Sequence, residues 1–353
     1  MKILINTPNL NELGGVANHY KGLKGFWNEN IKYNTVGSRK KIPGIFFLLF
    51  DLITFFIKCL VFHPDIVLLN PSLGKRAFYR DALFLKITFI MKIKTIVFFH
   101  GWDNEFEQQL SSTTHIFKKK YGTASAFIVL ATEFKEVIQS WGIDKPVYLS
   151  STKVDDNLIC DFIIENKIYK KNILFLARII KEKGIYIAIE AFRKIINLYP
   201  ETELTIVGDG SDLSDIKRIV NELNLTNVLI TGALSGESLK EQFCKADIYI
   251  FPTFYGEGMP TSVLEAMAFG LPIITRPVGG LSDFFENKKM GYLVNSLNPD
   301  DFTEQIISLF NDQENIKEIG KYNYHYAKTH FYASNVALKM ESIFNKEYKN
   351  GLK

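Results

Sequence analysis

Glu257 and Glu265 frame the stretch of this chain best equipped for chemistry, Glu257-Gly-Met-Pro-Thr-Ser-Val-Leu-Glu265. One unbroken helix is excluded by what lies between them. Gly258 weakens a helix interior, and Pro260 is tolerated only in a first turn. The spacing predicts a loop carrying Glu257, a helix starting at Pro260 or Thr261, and Glu265 in its second turn. Such a helix aims free N–H groups and its positive dipole end at the loop, which suits a phosphate. The two carboxylates would accept hydrogen bonds from hydroxyls, such as those of a sugar. The same letters contain S-x-x-E, Ser262 to Glu265, so a capping box is the plainer alternative.

Other constellations follow expected strands. Arg178 and Lys183 lie in Ala177-Arg-Ile-Ile-Lys-Glu-Lys-Gly184, between a strand and a helix beginning near Gly184. Two fixed cations there can neutralise a diphosphate, Arg in a bidentate way; the same letters also read as an exposed basic turn. Gly14-Gly15 follows the first strand, where glycines let backbone N–H groups approach a phosphate, although most such pairs are ordinary turns. The chain has no GxGxxG after strand one, which argues against a nicotinamide cofactor. His100, with Asp103 close behind, ends another strand, placed for substrate contact or for a structural cap. Gly208-Asp209-Gly210 and Pro277-Val278-Gly279-Gly280 close two later strands as glycine turns.

Short apolar runs alternate with helical patterns along the chain. Lys2–Asn6, Asp65–Asn70, Thr95–His100 and Ala126–Leu130 read as buried strands in the first half. Asn172–Ala177, Glu203–Val207, Asn227–Thr231, Asp247–Phe251, Pro272–Thr275 and Tyr292–Val294 follow in the second. Continuously apolar strands alternating with helices predict an α/β protein with parallel sheets covered on both faces. The polar stretch Ser150–Lys171 separates two such domains, with a ligand cleft expected where strand C-termini open. The segment from about Ser334 to Tyr348 is expected to be helical, with Val336, Leu338, Met340 and Ile343 available to pack.

Composition bounds the rest. A chain of 353 residues, 47% hydrophobic and 23% charged, is globular rather than disordered. Cys59, Cys160 and Cys244 form no CxxC or Cys/His cluster, so neither a disulfide framework nor a zinc site is expected, and a reduced cytosolic compartment fits. Lys2–Pro8 reads as a first strand and turn rather than the apolar region of a signal peptide. Residues 1–150 hold 19 Lys+Arg against 11 Asp+Glu, a balance of +8 against +4 for the whole chain. No nucleic-acid motif accompanies that charge, which points instead to an anionic membrane surface or a phosphate-bearing substrate. Gly44–Phe62 is almost long enough to span a bilayer, but Asp51 and Lys58 interrupt it, each costing ~3 kcal/mol at a membrane centre. With Thr54 they form a narrow polar stripe. A mostly buried helix is expected, or one lying among headgroups beside Arg39-Lys40-Lys41.

Taken in order, these features resemble the family 4 retaining glycosyltransferases of GT-B architecture, most strongly from Asn172 to Asn295. The matching residues are Gly14-Gly15, Arg178…Lys183-Gly184, Val207-Gly208-Asp209-Gly210, Gly256-Glu-Gly-Met-Pro…Leu-Glu-Ala-Met-Ala268 and Gly279-Gly280. The resemblance implies two Rossmann-like domains facing a cleft. It implies an acceptor-side domain at 1–165, a donor domain at 166–333, and a terminal helix, 334–353, crossing back to the first. Arg178 and Lys183 would grip the diphosphate of a nucleotide sugar, and Glu265 the ribose hydroxyls. Glu257 would meet the transferred sugar, helped by the backbone N–H groups of Gly258 and Met259, with Pro260 opening the helix beside them. Gly14, Gly15 and Gly208 would line the donor site, and His100 would lie beside the donor sugar. Two departures stand out: Thr152-Lys153-Val154-Asp155 replaces the family's Asn-Gly-Val-Asp, and Asp283 stands where a glutamate is common.

The expected activity is transfer of a sugar to an acceptor hydroxyl with retained anomeric configuration. The acceptor is expected to be a lipid-linked or cell-surface saccharide, reached from the inner face of the cytoplasmic membrane. No metal or other cofactor is expected, since no Asp-x-Asp site is visible, and no nucleic acid partner. The rival readings are a sugar-nucleotide epimerase or hydrolase of the same architecture and a non-catalytic partner subunit.

Overall fold

Runs of β-branched and aromatic residues become the buried strands of two parallel sheets. The computed structural model describes residues 1–12, 14–37 and 47–350. The first sheet contains β1 (Lys2–Thr7), β2 (Asn30–Thr35), β3 (Ile66–Leu69), β4 (Lys94–Phe98), β5 (Ala126–Val129) and β6 (Val147–Leu149), ordered β2-β1-β3-β4-β5-β6. The second contains β7 (Ile173–Leu176), β8 (Leu204–Val207), β9 (Val228–Gly232), β10 (Ile248–Phe251), β11 (Ile273–Thr275) and β12 (Gly291–Leu293), ordered β12-β11-β10-β7-β8-β9. All pairings between neighbours are parallel. The α/β class expected from the alternating pattern is what the chain forms.

Two strands escaped the sequence reading. β2, Asn-Ile-Lys-Tyr-Asn-Thr, is an edge strand whose residues alternate between exposed and partly covered at its start, so it lacks a continuous apolar run. β6 is three residues long and follows Pro146 at the other edge.

The helices are α1 (Gly15–Leu23), α2 (Leu48–Phe62), α3 (Lys75–Ile90), α4 (Asn104–Ser111), α5 (Thr114–Tyr121), α6 (Thr132–Ser140) and α7 (Asp156–Ile159), then α8 (Ile185–Ile195), α9 (Leu213–Glu222), α10 (Glu237–Lys245), α11 (Thr261–Ala268), α12 (Pro299–Phe310), α13 (Gln313–His330) and α14 (Ala333–Lys349). The chain divides into two compact units. One is Met1–Lys153 with Gly256–Met259 and Ala333–Lys353; the other is Val154–Tyr255 with Pro260–Tyr332. The division thus falls at Lys153/Val154, inside the polar stretch Ser150–Lys171 and earlier than the 165/166 boundary that the resemblance implied. The residues between belong to the second unit because they pack there: the Phe162 ring meets Phe269 at 5.0 Å, and Ile164 is buried.

In the first unit the core on one face of the sheet is aromatic. Phe55 and Phe84 meet edge to face at 5.0 Å, and the buried Tyr121 hydroxyl donates to the Phe78 carbonyl at 2.8 Å. Helix α14 is tied to this unit through a carboxylate. Glu341 accepts from the backbone N–H groups of Asn28 and Glu29 at 2.6 and 2.9 Å. Val336, Met340 and Ile343 are buried as expected, but Leu338 is 54% exposed.

Helix α2 differs from the expected mostly buried helix, and in an instructive way. Its polar stripe turns inward: Asp51 is buried and accepts from the Gly37 N–H at 2.9 Å, while Lys58 donates to the Tyr33 carbonyl at 3.0 Å. Backbone groups beside the edge strand β2 need partners, so the charged side chains serve them and the apolar side faces out. The cluster Arg39-Lys40-Lys41 and the start of Gly44–Phe62 lie outside the described residues.

In the second unit, Asn323 on α13 donates from Nδ2 to the carbonyls of Leu271 and Met290 at 2.8 and 2.9 Å. That anchors the loops around α11, the helix predicted from Pro260.

Candidate functional site

In an open parallel sheet, ligands bind beyond the strand C-termini where the strand order reverses. In the second sheet that point lies between β7 and β10. The β7 loop carries Arg178 and Lys183; the β10 loop carries Tyr255. A single carbonyl clamps the two loops together. Glu182 O accepts from the backbone N–H groups of Phe254 and Tyr255 at 2.8 and 3.1 Å and from the Thr253 hydroxyl at 3.2 Å.

The clamp sets both cations over one ring. The Arg178 guanidinium lies 5.2 Å from the Tyr255 ring centroid and Lys183 Nζ lies 4.4 Å from it. Lys183 is only 8% exposed and also lies 5.7 Å from the Phe251 ring, whereas Arg178 is exposed. Each distance is within cation–π range.

Glycines permit this crowding. At Gly184, φ is +83° and a Cβ would sit 2.3 Å from the Pro252 carbonyl oxygen. At Gly208, φ is +146° and a Cβ would sit 1.9 Å from the Ala177 oxygen. Behind Arg178 the Ile179 N–H donates to the Asp209 carbonyl at 3.0 Å, and the Asp212 N–H to the Ile179 carbonyl at 3.1 Å. Gly208, expected to line the donor site, thus has a packing duty: it backs the Arg178 loop.

Helix α11 begins where the spacing predicted. Pro260 is its N-cap residue and Glu265 falls in its second turn, 8% exposed. The capping-box alternative is not realised, because Ser262 lies inside the helix rather than at its N-cap. Instead Ser262 Oγ meets the Tyr249 hydroxyl at 2.7 Å, and that hydroxyl donates to the Leu176 carbonyl at 2.8 Å. The helix N-terminus is thereby tied to the end of β7, and Glu265 stands three residues on, on the same face.

The remaining candidates group on the first unit. Gly14 is the N-cap of α1, and neither it nor Gly15 has a neighbour within 4 Å of where a Cβ would be. His100 follows β4, and its Nε2 lies 3.1 Å from Asn70 Oδ1. Asn70 also accepts from the Tyr20 hydroxyl at 2.5 Å and donates to the Asn6 carbonyl at 2.9 Å. Burial holds His100 neutral by lowering its pKa to about 3. Asp103 is the N-cap of α4, accepting from the Phe106 N–H at 3.0 Å, so a cap accounts for it.

The segment Gly256–Met259 also groups with the first unit. A Cβ on Gly258 would sit 2.6 Å from the His100 carbonyl oxygen, and the Thr152 hydroxyl donates to the Met259 carbonyl at 3.3 Å. Glu257, between these two contacts, is half-buried. Lys153 is buried against α1, with its Cε 2.4 Å from where a Cβ on Gly22 would be.

Sequence reasoning missed four residues. Tyr255 carries the cation pair, and its position directly before Gly256-Glu257-Gly258 was the available signal. Arg276, after β11, donates to the Asn295 carbonyl at 3.2 Å. Asn70 is the partner of His100. His19 on α1 is buried beside His100, ring centroids 5.0 Å apart, with both ring nitrogens unpartnered; burial first, then His100 and Lys153, lowers its pKa. Among the described residues no group of three or more His, Cys, Asp or Glu is placed to hold a metal ion.

Residues 162–326 match the family model "Glycosyl transferases group 1". The chain is 27% identical over 185 residues to the spore coat protein SA of Bacillus subtilis, covering 50% of this chain and 49% of that protein. It is 25% identical over 235 residues to the putative teichuronic acid biosynthesis glycosyltransferase TuaC of the same organism, covering 63% and 56%. The chain therefore spans about half the length of these curated relatives. The crystal structure of Anabaena Alr3699/HepE in complex with UDP and glucose superposes with a TM-score of 0.74 at 15% identity, covering 98% of this chain and 99% of that one. At that identity the likeness speaks for fold alone. Over residues 162–326 the chain is thus similar to the group 1 glycosyltransferases, and its fold is GT-B.

Proposed function

We propose that the protein transfers a sugar from a nucleoside-diphosphate sugar to an acceptor hydroxyl, with retention at the anomeric carbon. The observation that carries this is the pair Arg178 and Lys183, held over Tyr255 at the switch point of the second sheet. Cations fixed there before the reaction stabilise the charge growing on a departing diphosphate with little reorganisation. The α11 N-terminus adds its dipole. Glu265 accepts from the ribose hydroxyls, and Glu257, with the Gly258 and Met259 N–H groups, orients the transferred sugar.

The bond between the anomeric carbon and the diphosphate oxygen breaks as the acceptor oxygen bonds to the same face of that carbon. The departing phosphate oxygen takes the acceptor's proton. Glu257 is therefore an orienting group rather than a covalent nucleophile, and the scheme draws its charge neutralisation from the protein without a metal ion. The Anabaena protein of like fold, crystallised in complex with UDP and glucose, supports a nucleotide-sugar donor. The name of the teichuronic acid relative supports a cell-surface or lipid-linked saccharide as acceptor.

Nucleotide release across UDP-, GDP-, ADP- and dTDP-sugars, with and without acceptor lipids, tests the reading. Acceptor-dependent release that falls by orders of magnitude in Arg178→Ala, with the melting temperature nearly unchanged, is expected. Release or isomerisation without acceptor would indicate the hydrolase or epimerase chemistry instead. Absence of turnover with every donor would indicate a partner subunit.

A further inference from the structure

Helix α2 presents its apolar side to the outside. Leu49, Phe50, Ile53, Ile57, Leu60 and Val61 are between 47% and 75% exposed, at a spacing that puts them on one face. The neighbouring α3, joined to α2 through Phe55 and Phe84, continues the patch with Leu83, Phe89 and Ile90, which are 39%, 58% and 68% exposed. A monomeric soluble protein seldom leaves so many contiguous large apolar side chains bare.

Charge identifies what covers them. Helices α2, α3 and α5 carry two carboxylates between them, Asp51 and Asp81, and both are 1% exposed. Their exposed charged groups are cations: Lys75, Arg76 and Lys86 on α3, and Lys118 and Lys119 on α5. Helix α5 flanks α3, with Lys120 Nζ 5.7 Å from the Tyr79 ring. An apolar face on helices whose own exposed charges are all cations complements the boundary between acyl chains and anionic headgroups. A second copy docked on this face would instead bring two cation-rich helix sets together. No described helix is long and apolar enough to cross a membrane, so insertion stays at the surface.

We propose that the outward face of α2, continued by the end of α3, inserts into the interface of an anionic lipid bilayer while the cations of α3 and α5 meet its headgroups. This docking does not depend on the donor-site reading and is measured without turnover.

The test is flotation of the purified full chain with vesicles of phosphatidylcholine, alone or with ~30% phosphatidylglycerol. The protein is expected to float with the anionic vesicles at low salt. The double variant Phe50→Glu/Ile57→Glu should lose about tenfold or more of the bound fraction at an unchanged melting temperature. A single Ile57→Trp variant, which keeps the face apolar, should show blue-shifted emission quenched by brominated lipid. Wild-type protein left unfloated by anionic vesicles would overturn the proposal, as would Ile57→Trp emission that vesicles do not move. So would a dimer in sedimentation that the double variant dissociates while vesicles capture nothing.

Discussion

Replacing Tyr255 tests whether its ring or its hydroxyl organises the site. The ring lies 4.4 Å from Lys183, which is almost fully buried, and 5.2 Å from Arg178, which is exposed. A cation–π contact contributes ~0.5–1 kcal/mol at an exposed site and ~2 kcal/mol when desolvated. Losing both contacts in Tyr255→Ala therefore removes about 2–3 kcal/mol of preorganisation. A donor must then order two long side chains that were already placed. At 1.4 kcal/mol per decade, donor affinity should fall between about 30-fold and 150-fold. Tyr255→Phe keeps the ring face and should stay within about threefold of wild type. Titration calorimetry with the nucleotide that binds measures both. If Tyr255→Phe were as damaged as Tyr255→Ala, the hydroxyl would be the working group and the cation–π reasoning would fail.

Three further outcomes are expected. Gly208→Ala places a methyl 1.9 Å from the Ala177 oxygen at a φ of +146°, so it should lower unfolding stability by about 2–4 kcal/mol in urea; an unchanged midpoint would show that the β8 loop is not held against the Arg178 loop. Glu265→Ala should weaken nucleotide binding more than Glu257→Gln does, because the proposed function gives the first to the ribose and the second to the transferred sugar; the opposite order of dissociation constants would reverse these proposed roles. His100, neutral in the fold with its pKa near 3 against 6.5 in the unfolded chain, binds fewer protons folded than unfolded between those values, so stability should rise with pH across that window and flatten above it, with about 2 kcal/mol lost by pH 5; a His100→Gln variant with the same slope would remove His100 as its source.

Most of the second unit was legible because its chemistry is written locally. Strands buried on both faces read as uninterrupted apolar runs, and Pro260 marked the start of α11. What could not be read depends on partners distant in sequence. Asp51 and Lys58 read as a narrow polar stripe on a mostly buried helix or one among headgroups, and nothing local says that the stripe turns inward because Gly37 N–H and the Tyr33 carbonyl need it. The packing duty of Gly208 was not legible either, because the Ala177 oxygen that occupies the space of a side chain there lies on another strand's loop. Tyr255 carried only the signal of its place before Gly256-Glu257-Gly258, because its contact with both cations exists only once Glu182 has drawn the two loops together.

The manner in which Arg178 is held bears on its use. A carboxylate would fix a guanidinium but cancel much of its charge before a ligand arrived. An aromatic face fixes it through the ring quadrupole and leaves the charge in place. Among the described residues Arg178 makes no ion pair, and its loop is held from behind by the backbone of Asp209 and from the front by the β10 loop. Rigidity thus comes from glycine-enabled backbone packing and orientation from a neutral ring. On the proposed function, such a cation would meet a diphosphate without first breaking a salt bridge, so the field assisting leaving-group departure would be present before the donor binds. Adding a negative charge nearby should expose the same logic. A carboxylate at position 255 would pair with both cations, and Tyr255→Glu should therefore weaken donor binding beyond Tyr255→Ala despite its larger side chain.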